Sequence, residues 1–175
     1  SGEISSQTLP NHIKPIKVLL DANRVPIHWK SLNKLMPRRE SKSKDRAYTR
    51  EEIQKMLQVT NDITDNVIIL LFSSAGFRLE SWDYFTWKDV IFFKNDDGSY
   101  KGASLLIYRG DPESYFTFIT PEACKALELY REKWKADTLR YPTPDDPLIK
   151  STQSPFVIRL NQKGVRKRMA KIICA

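Results

Sequence analysis

Between Val90 and Ile119 the apolar residues stop recurring at helical spacing and begin to alternate. Val90-Ile-Phe-Phe93, Ala103-Ser-Leu-Leu-Ile-Tyr108 and Tyr115-Phe-Thr-Phe-Ile119 each read as a strand. Asn95-Asp-Asp-Gly98 and Gly110-Asp-Pro-Glu113 lie between them and carry turn residues. Such short connections join antiparallel neighbours, so a small three-stranded meander is predicted. Everything around it has helical spacing. Residues 11–23 put Ile13, Ile16, Val18, Leu19 and Leu20 on one broad face, and a short helix follows at about 28–36. Thr49-Arg-Glu-Glu52 is a capping box that opens a helix over 50–59. A helix over 62–75 is apolar from Val67 to Phe72 and should be central; Gly76 ends it, and a short helix from Arg78 to Phe85 follows. Thr120-Pro-Glu122 opens a helix over 121–138 with an N-cap, an N1 proline and an acidic first turn. Tyr141 to Pro155 is a proline-rich loop, and a last helix starts near Asn161. The fold class is therefore α+β, mostly helical.

Charge is unevenly placed along this chain. Residues 1–50 hold 11 basic and 4 acidic side chains, residues 51–162 hold 13 and 17, and residues 163–175 hold 5 and none. Two basic ends around a slightly acidic middle point to a polyanion gripped at defined places, with ordinary solvated lysines as the alternative. The segment from Pro37 to Arg46 is too polar to pack and reads as a linker. Its Arg38, Arg39, Lys42, Lys44 and Arg46, with Arg50 just beyond, form the densest candidate for contacts to phosphates; a solvated linker is the alternative. Lys163, Arg166 and Lys167 lie on the last helix, which also carries Arg168 and Lys171. Val165, Met169, Ile172 and Ile173 give that helix an apolar side. The longest apolar run, Val67 to Phe72, is far below the roughly 20 residues of a membrane helix. Two cysteines make no disulfide framework, and no Cys/His cluster has zinc spacing. No apolar signal segment, phosphate loop or nucleotide fingerprint is present, so an intracellular, metal-free protein is expected.

The segment Ser74-Ala-Gly-Phe-Arg-Leu-Glu-Ser-Trp-Asp-Tyr-Phe-Thr-Trp-Lys-Asp-Val90 resembles a motif of the tyrosine recombinase (phage integrase) family. Gly76, Phe77, Arg78, Phe85, Trp87, Asp89 and Val90 fall in register with it. The flanks agree: Tyr48-Thr-Arg-Glu-Glu-Ile53 and an apolar helix ahead, three strands and Thr120-Pro-Glu-Ala123 behind. The resemblance covers roughly residues 46–140, with a texture nearest to archaeal integrases.

The resemblance implies a catalytic-domain-like fold and DNA strand cleavage through a 3′-phosphotyrosyl link, without metal, nucleotide or other cofactor. It implies double-stranded DNA as partner, self-association on DNA, and residence at the nucleoid of a cell carrying a mobile element or provirus. Arg78 falls on the family's first catalytic arginine; the alternative is an arginine pairing with Glu80 or Asp83. The family's glutamate three residues on is replaced by Ser81. Arg109 stands nearest the family's hairpin lysine; the alternative is a turn arginine paired with Asp111 or Glu113. The family's histidine-x-x-arginine motif is absent, since Pro15 and Ser31 follow His12 and His28 at the third place. None of the six tyrosines after Arg78 follows such a motif, so the sequence is expected to stop at Ala175 before the second half of the active site and to be inactive alone. The expected organisation is part of a helical core-binding domain (1–36), the basic linker (37–46) and the first half of a catalytic domain (47–175). A non-catalytic DNA-binding or regulatory protein with the same fold is the first alternative, and a basic helical protein-binding module the second.

Overall fold

The computed structural model describes residues 8–37, 46–152, 154 and 156–174. The chain divides into two compact units, Ser1–Ala47 and Tyr48–Ala175. The first contains helices α1 (Leu9–Ala22) and α2 (Trp29–Leu35). Pro10 stands in the first turn of α1, where its missing N–H is no loss, and the Asn23 amide donates to the Leu19 carbonyl at its end. Neither helix buries a residue. Ile13, Ile16, Trp29 and Leu32 instead line an open apolar hollow of about 360 Å³.

The second unit starts with α3 (Arg50–Val59) and α4 (Ile63–Ala75). The Thr49–Glu52 capping box forms, with the Thr49 amide donating to the Glu52 carboxylate at 2.8 Å. Asp62 caps α4 by accepting from the Thr64 amide at 2.9 Å. Val67, Ile68 and Leu71 are completely buried, so α4 runs through the core as its apolar run requires. Gly76, with φ of 62°, ends it in a left-handed turn that suits glycine. The short helix expected from Arg78 to Phe85 is a 3₁₀ helix over Leu79–Tyr84, followed by a second 3₁₀ turn at Trp87–Asp89.

Strands β1 (Val90–Lys94), β2 (Tyr100–Ile107) and β3 (Tyr115–Ile119) form one antiparallel sheet in the order β1-β2-β3. Val90 faces Leu105, and Ala103 faces Ile119; these and Ile107 turn inward onto the core. β2 begins three residues earlier than its alternation indicates. The register shifts beside Phe93, and Gly102 sits at φ 152°, where a Cβ would stand only 3.0 Å from the Ile119 carbonyl oxygen. β2 also ends one residue earlier, because Tyr108 takes a left-handed φ of 52°.

Helix α5 (Pro121–Thr138) buries Leu127, Tyr130 and Trp134 against α4 and β2. The following loop pairs Lys150 with Arg159 in an isolated antiparallel bridge and leads into α6 (Gln162–Ile173). Val165 and Ile172, seven apart, bury one side of α6. Among the described residues no helix is long and apolar enough to cross a membrane.

Candidate nucleic-acid interface

The turn after α4 fixes the backbone of Arg78 and leaves its side chain outside. Phe77 is buried among Phe72, Trp82 and Phe85, with ring centroids 4.7 Å from Phe72 and 4.9 Å from Phe85. One residue on, the Arg78 carbonyl accepts from the Ser81 amide at 3.1 Å and from the Ser81 hydroxyl at 2.7 Å. Ser81 is fully buried, and its hydroxyl clamps the backbone of Arg78. The Arg78 side chain is exposed and forms no hydrogen bond or ion pair with any described residue. Neither Glu80 nor Asp83 pairs with it: Asp83 accepts from the Gln162 amide at 3.1 Å and its side-chain nitrogen at 2.8 Å. The Tyr108 ring lies edge-on to Tyr84 at 6.1 Å. Burial first, then the charge of Glu80, raises the Tyr108 phenol above its ordinary pKa, while Arg78 pulls it back.

Arg109 follows Tyr108 and is held from behind. Its Nε donates to the Asp89 carboxylate and its Nη2 to the Lys88 carbonyl at 3.0 Å. Asp89 is 3% exposed and also accepts from the Thr86 amide and hydroxyl at 2.8 and 2.7 Å. A buried carboxylate with three donors is a strong anchor. Asp111 accepts from the Glu113 amide instead of pairing with Arg109. The Arg109 side chain stays 46% exposed, with its Nη1 unengaged among the described residues.

Helix α6 separates its cations by direction. Lys163, Arg166 and Lys167 are exposed. Arg168 turns inward, donating to Asp62 at 2.9 Å, Asp65 at 2.6 Å and the Thr152 hydroxyl at 2.7 Å. It therefore joins α6 to the start of α4. Four further bonds fasten the Arg78 turn to the start of α6: the Trp82 indole N–H to the Leu160 carbonyl at 2.7 Å, Arg159 to the Phe85 carbonyl, and the two from Gln162 to Asp83. Arg78 and the exposed cations of α6 thus stand on one frame. These partners lie 74 to 79 residues apart, beyond the reach of any local pattern.

Of the remaining candidates, Arg50 is exposed at the first position of α3; the Glu122 carboxyl is held below its usual range by its own backbone amide and the Thr120 hydroxyl, with smaller help from the charges of Lys125 and Arg50. Arg46 donates to the Ala47 carbonyl at 3.0 Å. Arg38, Arg39, Lys42 and Lys44 lie outside the described residues. Among the tyrosines after Arg78, Tyr130 is 1% exposed and its hydroxyl oxygen accepts from the Lys150 amide. The Tyr141 hydroxyl donates to Glu132 and accepts from Lys135. Tyr100 is pushed up to about 12 by burial and Glu128. Among the described residues no three His, Cys, Asp or Glu side chains are grouped to hold a metal ion.

This helical frame with its three-stranded antiparallel sheet is a tyrosine-recombinase-like fold. It is similar to the crystal structure of XerA recombinase, with a TM-score of 0.54 and 16% identity over 97% of this chain and 53% of that one. The chain spans about half the length of that protein. No family model and no curated protein matches the sequence.

Proposed function

We propose that the chain is the DNA-gripping part of a tyrosine recombinase that integrates or excises DNA through a 3′-phosphotyrosyl intermediate. The observation that carries this is Arg78: its backbone is clamped by a buried serine, yet its guanidinium has no partner among the described residues. A planar fork of donors held free beside the β2–β3 corner suits the two-point grip on a phosphate whose oxygens gather charge as phosphorus becomes pentacoordinate. Arg109 adds a second guanidinium edge, steadied by Asp89. A guanidinium keeps its charge and presents a fixed fork of donors, which suits Arg109 to binding phosphate and not to giving up a proton. Lys163, Arg166 and Lys167, with Arg50 and the 38–46 cluster, supply contacts to flanking backbone phosphates. Double-stranded DNA is the partner, and self-association occurs on it.

A non-catalytic DNA-binding or regulatory role is the second reading. The engaged hydroxyls of Tyr130 and Tyr141 favour it for this chain taken alone. Both readings require DNA binding, and titration of a labelled duplex at several salt concentrations tests it. Binding that weakens steeply with salt supports them. Weak binding indifferent to salt returns the chain to a protein-binding module.

A further inference from the structure

Behind the exposed face of α6 lies a hollow of about 260 Å³, lined in part by Thr152, Arg159, Leu160, Gly164, Lys167 and Arg168. That is several times the roughly 30 Å³ share of one water molecule. Among the described residues, three cations and no carboxylate line it. Arg168 is already matched by Asp62 and Asp65. Arg159 is different. It is half-buried and donates to the Phe85 carbonyl, but it forms no ion pair with any described residue, and its Nε and Nη2 have no acceptor among them. Asp83 and Asp89, whose charges act on Arg159, are engaged elsewhere, holding Gln162, Thr86 and Arg109. Burial accordingly draws the pKa of Arg159 down, against the pull of those two charges. A desolvated guanidinium with open donors calls for an acceptor. Lys167, exposed at the rim, adds a second charge, and the Thr152 hydroxyl, which accepts from Arg168, keeps its own proton to donate.

We propose that this hollow is a phosphate seat, in which Arg159, Lys167 and Thr152 hold the oxygens of one phosphate group. The group is either a backbone phosphate of bound DNA or a free phosphate. The DNA source rests on the function proposed above; the free source does not. Trp82, Asp83 and Phe85 fix the floor of this seat through Leu160, Gln162 and Arg159, so it is carried by the same turn that presents Arg78.

The test uses the whole chain labelled with ¹⁵N, following the Gly164 amide, the Trp82 indole N–H and the Arg159 Nε–H. Inorganic phosphate and a short duplex are titrated separately, each against sodium chloride at matched ionic strength. Saturable shifts of these signals by either probe support the seat. Response to the duplex identifies a backbone phosphate, and response to inorganic phosphate alone identifies a free one. Arg159→Gln is expected to weaken the response about tenfold, as loss of one charge-assisted contact does. Lys167→Ala, on an exposed side chain that the fold does not use, is expected to weaken it severalfold and guards against a folding defect in the first variant. Signals that stay still with both probes, that move equally with chloride, or that ignore both substitutions overturn the proposal. Loss of DNA binding with the inorganic phosphate response intact removes the proposed function and leaves the seat standing.

Discussion

The Arg78 guanidinium is exposed and bonds to no described residue, so Arg78→Gln is expected to change stability by less than about 0.5 kcal/mol while weakening DNA binding. Arg78→Lys keeps the charge and should retain most of the binding, but in an enzyme carrying a full active site it should cost cleavage more than binding, because lysine lacks the fork. Urea denaturation and duplex titration of the same variants separate these effects; a marked loss of stability would make Arg78 a structural residue. Its place in the turn after α4 was legible in the sequence, because Gly76 follows an apolar helical run. What it does not touch was not legible: the sequence offers Glu80 and Asp83 as partners, and only the folded chain shows Asp83 turned to Gln162. Arg109 shows the same limit, since its anchor is Asp89, twenty residues back, and not its neighbours in the turn. Acid sensitivity also arises at single residues. Arg140, followed by Thr143, holds Asp146 down to about 2 from 3.8. A carboxyl depressed in the folded state stabilises it fully above its unfolded pKa, and that contribution fades as pH falls from about 4 towards 2. Asp146→Asn should therefore flatten the acid limb of the stability profile in this window, and an unchanged limb would mean that the pair adds nothing.

Helix α6 looks uniformly basic as a string, yet its cations have two jobs. Arg168 is 20% exposed and bridges to Asp65, itself 15% exposed. Arg168→Met should cost roughly 1–3 kcal/mol, less whatever solvent screening already removes, because two carboxylates lose their counter-charge at the start of α4. It should leave the salt dependence of DNA binding nearly unchanged. Replacing Lys163, Arg166 and Lys167 together with alanine should do the reverse. Thermal unfolding and salt titration of both proteins check the contrast, and matching behaviour would mean that direction on the helix does not matter. The elements themselves were largely legible: caps such as Thr49–Glu52 and Thr120 act within three residues, so their chemistry is local. The start of β2 was not, because the bulge beside Phe93 and the turned-in Gly102 break the alternation that marks a strand.

For the molecule as a whole, one open arginine, a second anchored one and a basic helix share a frame built by contacts across the sequence. Cleaving DNA further needs a nucleophile about 3 Å from phosphorus, and removing one from a concerted site costs orders of magnitude in rate. The 175-residue chain is thus expected to form no covalent adduct on a nicked suicide duplex. An adduct surviving denaturation would refute this and would send mutagenesis first to Tyr141. The central claim, that this frame grips DNA by its phosphates, is tested most directly by the slope of log binding constant against log salt for the chain and for its Lys163/Arg166/Lys167 triple-alanine variant. A slope several units negative, made shallower by roughly 2–3 in the variant, is predicted for three lost phosphate contacts. Identical slopes, or no duplex binding even near 50 mM salt, the low end at which such contacts are strongest, would contradict it.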